Sequence, residues 1–212
     1  MPSQSPSSVM TAAAHLHERG FSIQEAISRI PQSRFLRQIK RWMGGRESMT
    51  TIAAGGQAPE FSVKGLDGKE YSLGKLLAHG PVVAAFFKIS CPVCQFTMPY
   101  LERLYQRYGG SGVAFLGIGQ DGAPDTKDFV KKYGATFPVA TDAKGYPASN
   151  AYGLTNVPSI FLIETDGRVR VGGAGFSKQD LEAIAKELAE RQKVALTPFF
   201  AAGENVPEYR PG

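Results

Sequence analysis

Both cysteines of this 212-residue sequence fall within one tetrapeptide, Cys91-Pro92-Val93-Cys94. A thiol attacks as the thiolate, and the N-terminus of a helix stabilises that anion through its unpaired N–H groups and its dipole. Pro92 suits the first helical turn, because the N–H that proline lacks would have no partner there. The two-residue spacer brings both sulfurs within bonding reach. The pattern predicts that Cys91 attacks a substrate disulfide and that Cys94 resolves the mixed disulfide.

A zinc site and a structural pair of buried cysteines are the alternatives for this tetrapeptide. Zinc needs four ligands, and the sequence has no second cysteine pair and no histidine after Cys94. We therefore expect no metal and no other cofactor. The direct succession of a strand, the cysteine pair and a helix favours redox chemistry over a structural pair.

A second motif, Gly117-Ile118-Gly119-Gln120-Asp121-Gly122, matches the G-x-G-x-x-G fingerprint of dinucleotide sites, with Asp142 at a suitable distance behind it. However, its first glycine falls within a strand pattern, and Pro124 follows the motif almost at once. The motif also lies downstream of the cysteine helix instead of opening a nucleotide-binding half. We therefore expect no dinucleotide at this motif.

The composition of the chain, with 42% hydrophobic and 20% charged residues, is ordinary for a soluble globular protein. No run approaches the ~20 apolar residues that a membrane span needs, and two cysteines cannot form a multi-bridge secreted scaffold.

Residues 1–48 carry seven cations and three anions, which gives +4 of the total +5. Because the charge belongs to an N-terminal arm, we expect no nucleic-acid partner. No secretory signal is visible, so the default expectation is a cytoplasmic location.

Residues 1–48 form a basic N-terminal extension. Over residues 33–43 apolar side chains recur at helical spacing, with cationic side chains elsewhere around the wheel, which predicts a basic amphipathic helix. The helix could dock against its own domain or a dimer mate, or lie on an anionic membrane surface. In a third interpretation, translation starts upstream while the working protein begins at Met49.

Residues 49–196 predict one domain in which strands and helices alternate, and this alternation predicts a parallel core. An Asp67-Gly68 turn predicts an N-terminal hairpin, and the three prolines of residues 197–212 predict a tail that runs extended over the surface. Pro81–Lys88 is apolar almost throughout, as is typical of a strand buried on both faces. The other predicted strands are 113–118, 137–140, 159–163 and 168–171, and the predicted helices are 97–108, 126–133, 148–152 and 178–192.

The sequence resembles the thioredoxin superfamily, in particular the branch that includes TlpA/ResA-type oxidoreductases and AhpC/TSA peroxiredoxins. The resemblance covers residues 56–192 and rests on Ala58-Pro59-Glu60-Phe61, on the cysteine tetrapeptide, on Val157-Pro158-Ser159 and on Asp166-Gly167. It implies an α/β, thioredoxin-like three-layer fold: a central mixed sheet flanked by helices, with an N-terminal hairpin and a helical N-terminal extension.

The resemblance also assigns roles at the site. It implies that Pro158 is a cis-proline facing the cysteines and that the backbone of Val157 pairs with the substrate chain. Together with Pro92 and Val93, these are the expected substrate-binding residues. The implied partner is a protein or small-molecule disulfide or dithiol, and an extracytoplasmic location is compatible with the family. A homodimer would form through the N-terminal extension.

Two positions depart from the thioredoxin pattern, since Ala85 stands where a buried aspartate is usual and Ser90 where an aromatic residue is usual. The usual buried proton acceptor is therefore absent. Peroxiredoxins carry Thr-x-x-Cys at the tetrapeptide, so a thiol peroxidase that uses Cys94 is the alternative function. The hydroxyl and the strand arginine of that chemistry are both missing, which favours disulfide exchange. A module that binds a partner protein, with redox chemistry secondary, is a third possibility.

Overall fold

A computed structural model describes residues 51–110 and 112–212. The described residues contain both cysteines and the strands and helices around them. The basic amphipathic helix predicted at 33–43 lies outside the described residues. The dimer and membrane-surface interpretations of the extension depend on this helix and therefore also concern residues outside that part of the chain.

The domain is built on a mixed sheet of seven strands: β1 (Ser62–Gly65), β2 (Glu70–Ser72), β3 (Val82–Phe87), β4 (Ala114–Gly119), β5 (Val139–Thr141), β6 (Ser159–Ile163) and β7 (Val169–Ala174). Their order in the sheet is β2-β1-β5-β4-β3-β6-β7. Strands β3, β4 and β5 run parallel, and β6 lies antiparallel to β3. This confirms the parallel core and the mixed sheet. A separate ladder joins β8 (Phe176–Ser177) to β9 (Tyr209–Arg210).

Helices cover both faces of the sheet, because its central strand is apolar on both sides. The helices are α1 (Leu73–Leu77), α2 (Pro92–Tyr108), α3 (Ala123–Lys132), α4 (Pro147–Ala151) and α5 (Lys178–Gln192). Alternate residues of β3 pack into opposite cores: Val83 lies with α2, α3 and α5, and Val82 lies with α1 and α4. Successive side chains of a strand point to opposite faces, so a continuous apolar run needs two covering layers.

The predicted N-terminal hairpin is present, and the predicted strands on either side of Asp166-Gly167 form a second one. Strands β1 and β2 are joined through Gly68 at φ +83°, and β6 and β7 are joined through Gly167 at φ +83°. Each glycine follows an aspartate and adopts the left-handed conformation that such a tight turn requires. Most other predicted elements match the observed ones to within a few residues.

The prediction of a tail that runs extended over the surface is wrong for its central part. Phe199 and Phe200 are buried against α2 and β8. Arg103 of α2 donates to the Phe199 carbonyl at 3.1 Å and forms a bidentate ion pair with Glu204. Burial of the two phenylalanine rings removes a large apolar area from water. This burial stabilises the packed position of the segment, although its prolines favour an extended chain.

Candidate active site

Cys91 caps the N-terminus of α2, directly behind strand β3. Its backbone is extended, with φ −81° and ψ 118°, and its sulfur accepts the N–H of Cys94 at 3.3 Å. Pro92 occupies the first helical turn, as predicted from its missing N–H. The sulfur thus lies where the unpaired N–H groups and the dipole of α2 favour negative charge, and the side chain is partly exposed.

Cys94 lies one turn further along α2 and faces the core. Its side chain is only 1% exposed, and its sulfur accepts the N–H of Lys88 at 3.5 Å. Burial raises the pKa of the Cys94 thiol well above its usual range; the Lys88 N–H opposes this increase, whereas the neighbouring Cys91 and the charge of Asp121 add to it. The two thiols therefore differ in accessibility, and the buried one is held in its neutral form.

A carboxylate that the sequence analysis did not single out as functional fixes the loop between β3 and Cys91. Asp121 accepts the N–H of Ile89 at 2.8 Å. The same loop is held from α2, where the Gln95 amide donates to the Ile89 carbonyl at 2.9 Å. Asp121 belongs to the glycine motif behind β4, so its place beside the loop follows from the parallel pairing of β3 and β4.

Val157 and Pro158 meet the cysteine pair from the opposite side, at the start of β6. The peptide bond between them is cis, as the family resemblance implied. The Cys91 thiol donates to the Val157 carbonyl at 3.2 Å. Pro158 is buried behind it, and its carbonyl accepts the N–H of Gly175 at 2.6 Å. The backbone of Val157 is therefore the part of this segment that directly contacts the partly exposed Cys91 thiol.

A groove of about 390 Å³ opens at the Cys91 sulfur. Among the six candidate residues, Cys91 and Val157 line it, whereas Cys94 and Pro158 are buried and Pro92 and Val93 lie on the first turn of α2 beside it. The remaining lining residues are polar or small for the most part: Lys88, Gln120, Tyr146, Ser149, Asn150, Leu154, Thr155, Asn156 and Gly212.

The glycine motif at 117–122 has a packing explanation. A Cβ added at Gly117 would lie 2.9 Å from the Phe137 ring and 3.3 Å from that of Phe87. Asp142 is buried and accepts two N–H groups at the start of α4, from Ala148 and Ser149. The glycine therefore admits aromatic rings against β4, and the aspartate caps a helix.

Within residues 51–110 and 112–212, no group of three or more histidine, cysteine, aspartate or glutamate side chains is arranged to hold a metal ion. In the same part of the chain, no helix is both long and apolar enough to cross a membrane.

Comparison with known proteins places this geometry in a family. The profile described as the AhpC/TSA family matches residues 54–171, which include the cysteine pair, Pro158 and every lining residue of the groove except Gly212. The chain belongs to the AhpC/TSA family. It is 37% identical over 136 residues to the thiol-disulfide oxidoreductase ResA of Bacillus thuringiensis (strain Al Hakam), covering 63% of this chain and 78% of that protein. The chain is thus a TlpA/ResA-type, thioredoxin-like oxidoreductase.

Solved structures show the same fold. The thioredoxin domain of the thiol-disulfide oxidoreductase BVU-2223 from Bacteroides vulgatus matches with a TM-score of 0.58 and 22% identity, covering 65% of this chain and 99% of that one. The peroxidoxin BcpB from Mycobacterium tuberculosis matches with a TM-score of 0.53 and 20% identity, covering 67% and 97% respectively. Because a peroxidoxin shares the fold, the fold does not distinguish disulfide exchange from thiol peroxidase activity. That choice depends on the residues of the site.

Proposed function

We propose that the protein exchanges disulfides through Cys91 and Cys94, with Cys91 attacking and Cys94 resolving. The observation that carries this assignment is the contrast between the two thiols. Cys91 is accessible from the groove at a helix N-terminus, whereas Cys94 is 1% exposed and its pKa is raised by burial. Nucleophilic attack requires a thiolate that can reach the substrate. Of the two sulfurs, only that of Cys91 can be reached from the groove.

The reaction balances over two substitutions. The Cys91 thiolate attacks one sulfur of a substrate disulfide, which forms a mixed disulfide and releases the other substrate sulfur as a thiolate. Cys94 then loses its proton and attacks the Cys91 sulfur, which releases the second substrate thiol and leaves a Cys91–Cys94 disulfide. The substrate gains two electrons, and an external dithiol returns the pair to the reduced form. Val157 and Pro158, with Pro92 and Val93, would bind the substrate chain.

The peroxidase alternative makes Cys94 the first sulfur to react. Hydrogen peroxide oxidises the thiolate, so this mechanism needs an exposed sulfur with substantial thiolate character. The burial of Cys94 and its raised pKa disfavour both conditions. A dithiol or disulfide is therefore the favoured partner, and a protein substrate is our more specific proposal. The homodimer and the cytoplasmic location remain predictions.

Single-cysteine variants distinguish the two mechanisms. With Cys94→Ser, the Cys91 thiolate lacks its resolving partner, so the protein should accumulate a mixed disulfide with native insulin, whose disulfides are intact. Mass spectrometry detects this product as an adduct that a reductant removes. The matched variant Cys91→Ser should form no adduct under the same conditions. Rapid peroxide consumption that survives Cys91→Ser and is abolished by Cys94→Ser would instead establish the peroxidase.

A further inference from the structure

The last residues of the sequence return to the active site. We call residues 208–212 the strap. Two residue pairs of the β8–β9 ladder, Phe176 with Arg210 and Ser177 with Tyr209, hold it beside β6 and β7. The strap reaches the groove, whose lining includes Gly212 together with Cys91. Residues far apart in sequence thus form one wall of the site.

Gly212 packs directly on the backbone of Val157. A Cβ added at Gly212 would lie 2.7 Å from the Val157 carbonyl carbon and 3.2 Å from its nitrogen. The Asn156 amide holds the glycine in place by donating to its carbonyl at 2.9 Å. Val157 is the residue whose carbonyl accepts the Cys91 thiol, so the strap covers the backbone immediately beside the nucleophile.

Further contacts fix the strap to the elements that build the site. The Arg210 guanidinium lies 4.2 Å from the ring centre of Phe96, which belongs to the helix that Cys91 caps. Glu208 is paired at 2.8 Å with Lys178, the first residue of α5. The Tyr209 hydroxyl donates to the Ala174 carbonyl at 3.1 Å.

These contacts are weak enough to be released. Glu208 is 80% exposed, and an ion pair this open to water is strongly screened. The ladder has only two residue pairs, and both of its β9 side chains are exposed. A short segment with few buried apolar contacts opens at low free-energy cost. The strap can therefore leave Val157 without unfolding the domain.

We propose that the strap determines which disulfides reach Cys91, because it occupies the backbone of Val157 with which a peptide substrate would pair. This inference rests on the proposed function. A small disulfide needs only the Cys91 sulfur and can use the open groove. A peptide disulfide must also lay its chain along Val157, and it can do so only in molecules whose strap has moved away. The strap thus limits the rate at which protein disulfides react with Cys91 and leaves the reaction of small disulfides unaffected.

Truncation after Pro207 tests the proposal, because it removes the strap and leaves the buried Val206 in place. The two probes are bovine insulin and 2-hydroxyethyl disulfide, each with dithiothreitol as the final reductant. If the intact protein exposes Val157 for about a tenth of the time, truncation should raise kcat/KM for insulin about tenfold and change that for 2-hydroxyethyl disulfide less than about twofold.

Gly212→Ala provides a second variant that keeps the strap. Its Cβ collides with the Val157 backbone, so the strap must move and insulin reduction should rise while 2-hydroxyethyl disulfide reduction stays unchanged. Gly74→Ala is the matched control, since its nearest neighbour outside the helix is 3.4 Å away and α1 packs in the core on the opposite face of the sheet from α2. It should change neither rate.

Two outcomes would overturn the proposal: insulin reduction that is unchanged or slower in both strap variants, and rates that rise equally for the two probes. The proposed function fails in a different way, with no cysteine-dependent reduction of either disulfide by the intact protein. The two failures are therefore distinguishable in one set of assays.

Discussion

The buried thiol of Cys94 should make the stability of the reduced protein depend on pH. In the folded state burial raises the pKa of this thiol, whereas in the unfolded chain it ionises near its ordinary value of about 8.5. Above that pH the unfolded state loses its proton first, so the free energy of unfolding falls as pH rises. The stabilisation is complete below the ordinary thiol pKa and is lost at higher pH. One proton accounts for about 1.4 kcal/mol per pH unit, or about 2 kcal/mol between pH 8.5 and pH 10.

The measurement compares Cys91→Ser with Cys91→Ser/Cys94→Ala, because neither protein can form the internal disulfide and the tyrosines and lysines are common to both. Urea unfolding at several pH values between 7 and 10 gives the free energy of unfolding of each protein. The difference between them should be constant below about pH 8 and shrink by about 2 kcal/mol at pH 10. A difference that does not vary with pH would refute the assignment of Cys94 as a buried, neutral thiol.

The remaining predictions concern residues 196–204, which follow α5 in the sequence. Phe200→Ala removes a buried ring that packs on the core, so it should lower the free energy of unfolding by about 3–5 kcal/mol, while Leu196→Ala at a 57% exposed position should cost less than about 0.5 kcal/mol. A double-mutant cycle on Arg103 and Glu204 should give a coupling of about 1 kcal/mol, because the pair is bidentate but partly exposed. The bond to Arg103 lowers the pKa of Glu204, so that coupling should be present at neutral pH and be lost as pH falls through the lowered value. Equal losses for Phe200→Ala and Leu196→Ala, or a coupling that persists in acid, would contradict this description.

Local patterns in the sequence predict much of the fold. The apolar run of β3 predicts a strand with a layer on each face, and the tetrapeptide between that run and a helical pattern predicts Cys91 at a helix N-terminus. Both follow from neighbouring residues. The position of Pro158 against the cysteines, which are distant from it in sequence, follows only from the family resemblance, because periodicity within one segment does not determine which segments meet.

The features that sequence reasoning missed depend on contacts between distant residues. Asp121 reaches Ile89 only because β3 and β4 pair side by side, and Gly212 reaches Val157 only through the β8–β9 ladder. One signal for the tail is present in the sequence: the adjacent Phe199 and Phe200 are large apolar residues in a segment whose prolines favour an extended chain. Two such side chains in succession indicate burial more strongly than the surrounding prolines indicate a surface tail.

If the protein exchanges disulfides as proposed, Cys91 and Cys94 form one reversible two-electron couple. The direct measurement is a redox titration in dithiothreitol buffers, followed by alkylation in denaturant and intact mass spectrometry. We predict that the protein interconverts between a form with two alkyl groups, one per cysteine, and a form with none, with a tenfold change in the ratio for each ~30 mV. A titration that gives no internal disulfide, or that leaves one cysteine alkylated throughout, would contradict disulfide exchange through the Cys91–Cys94 pair.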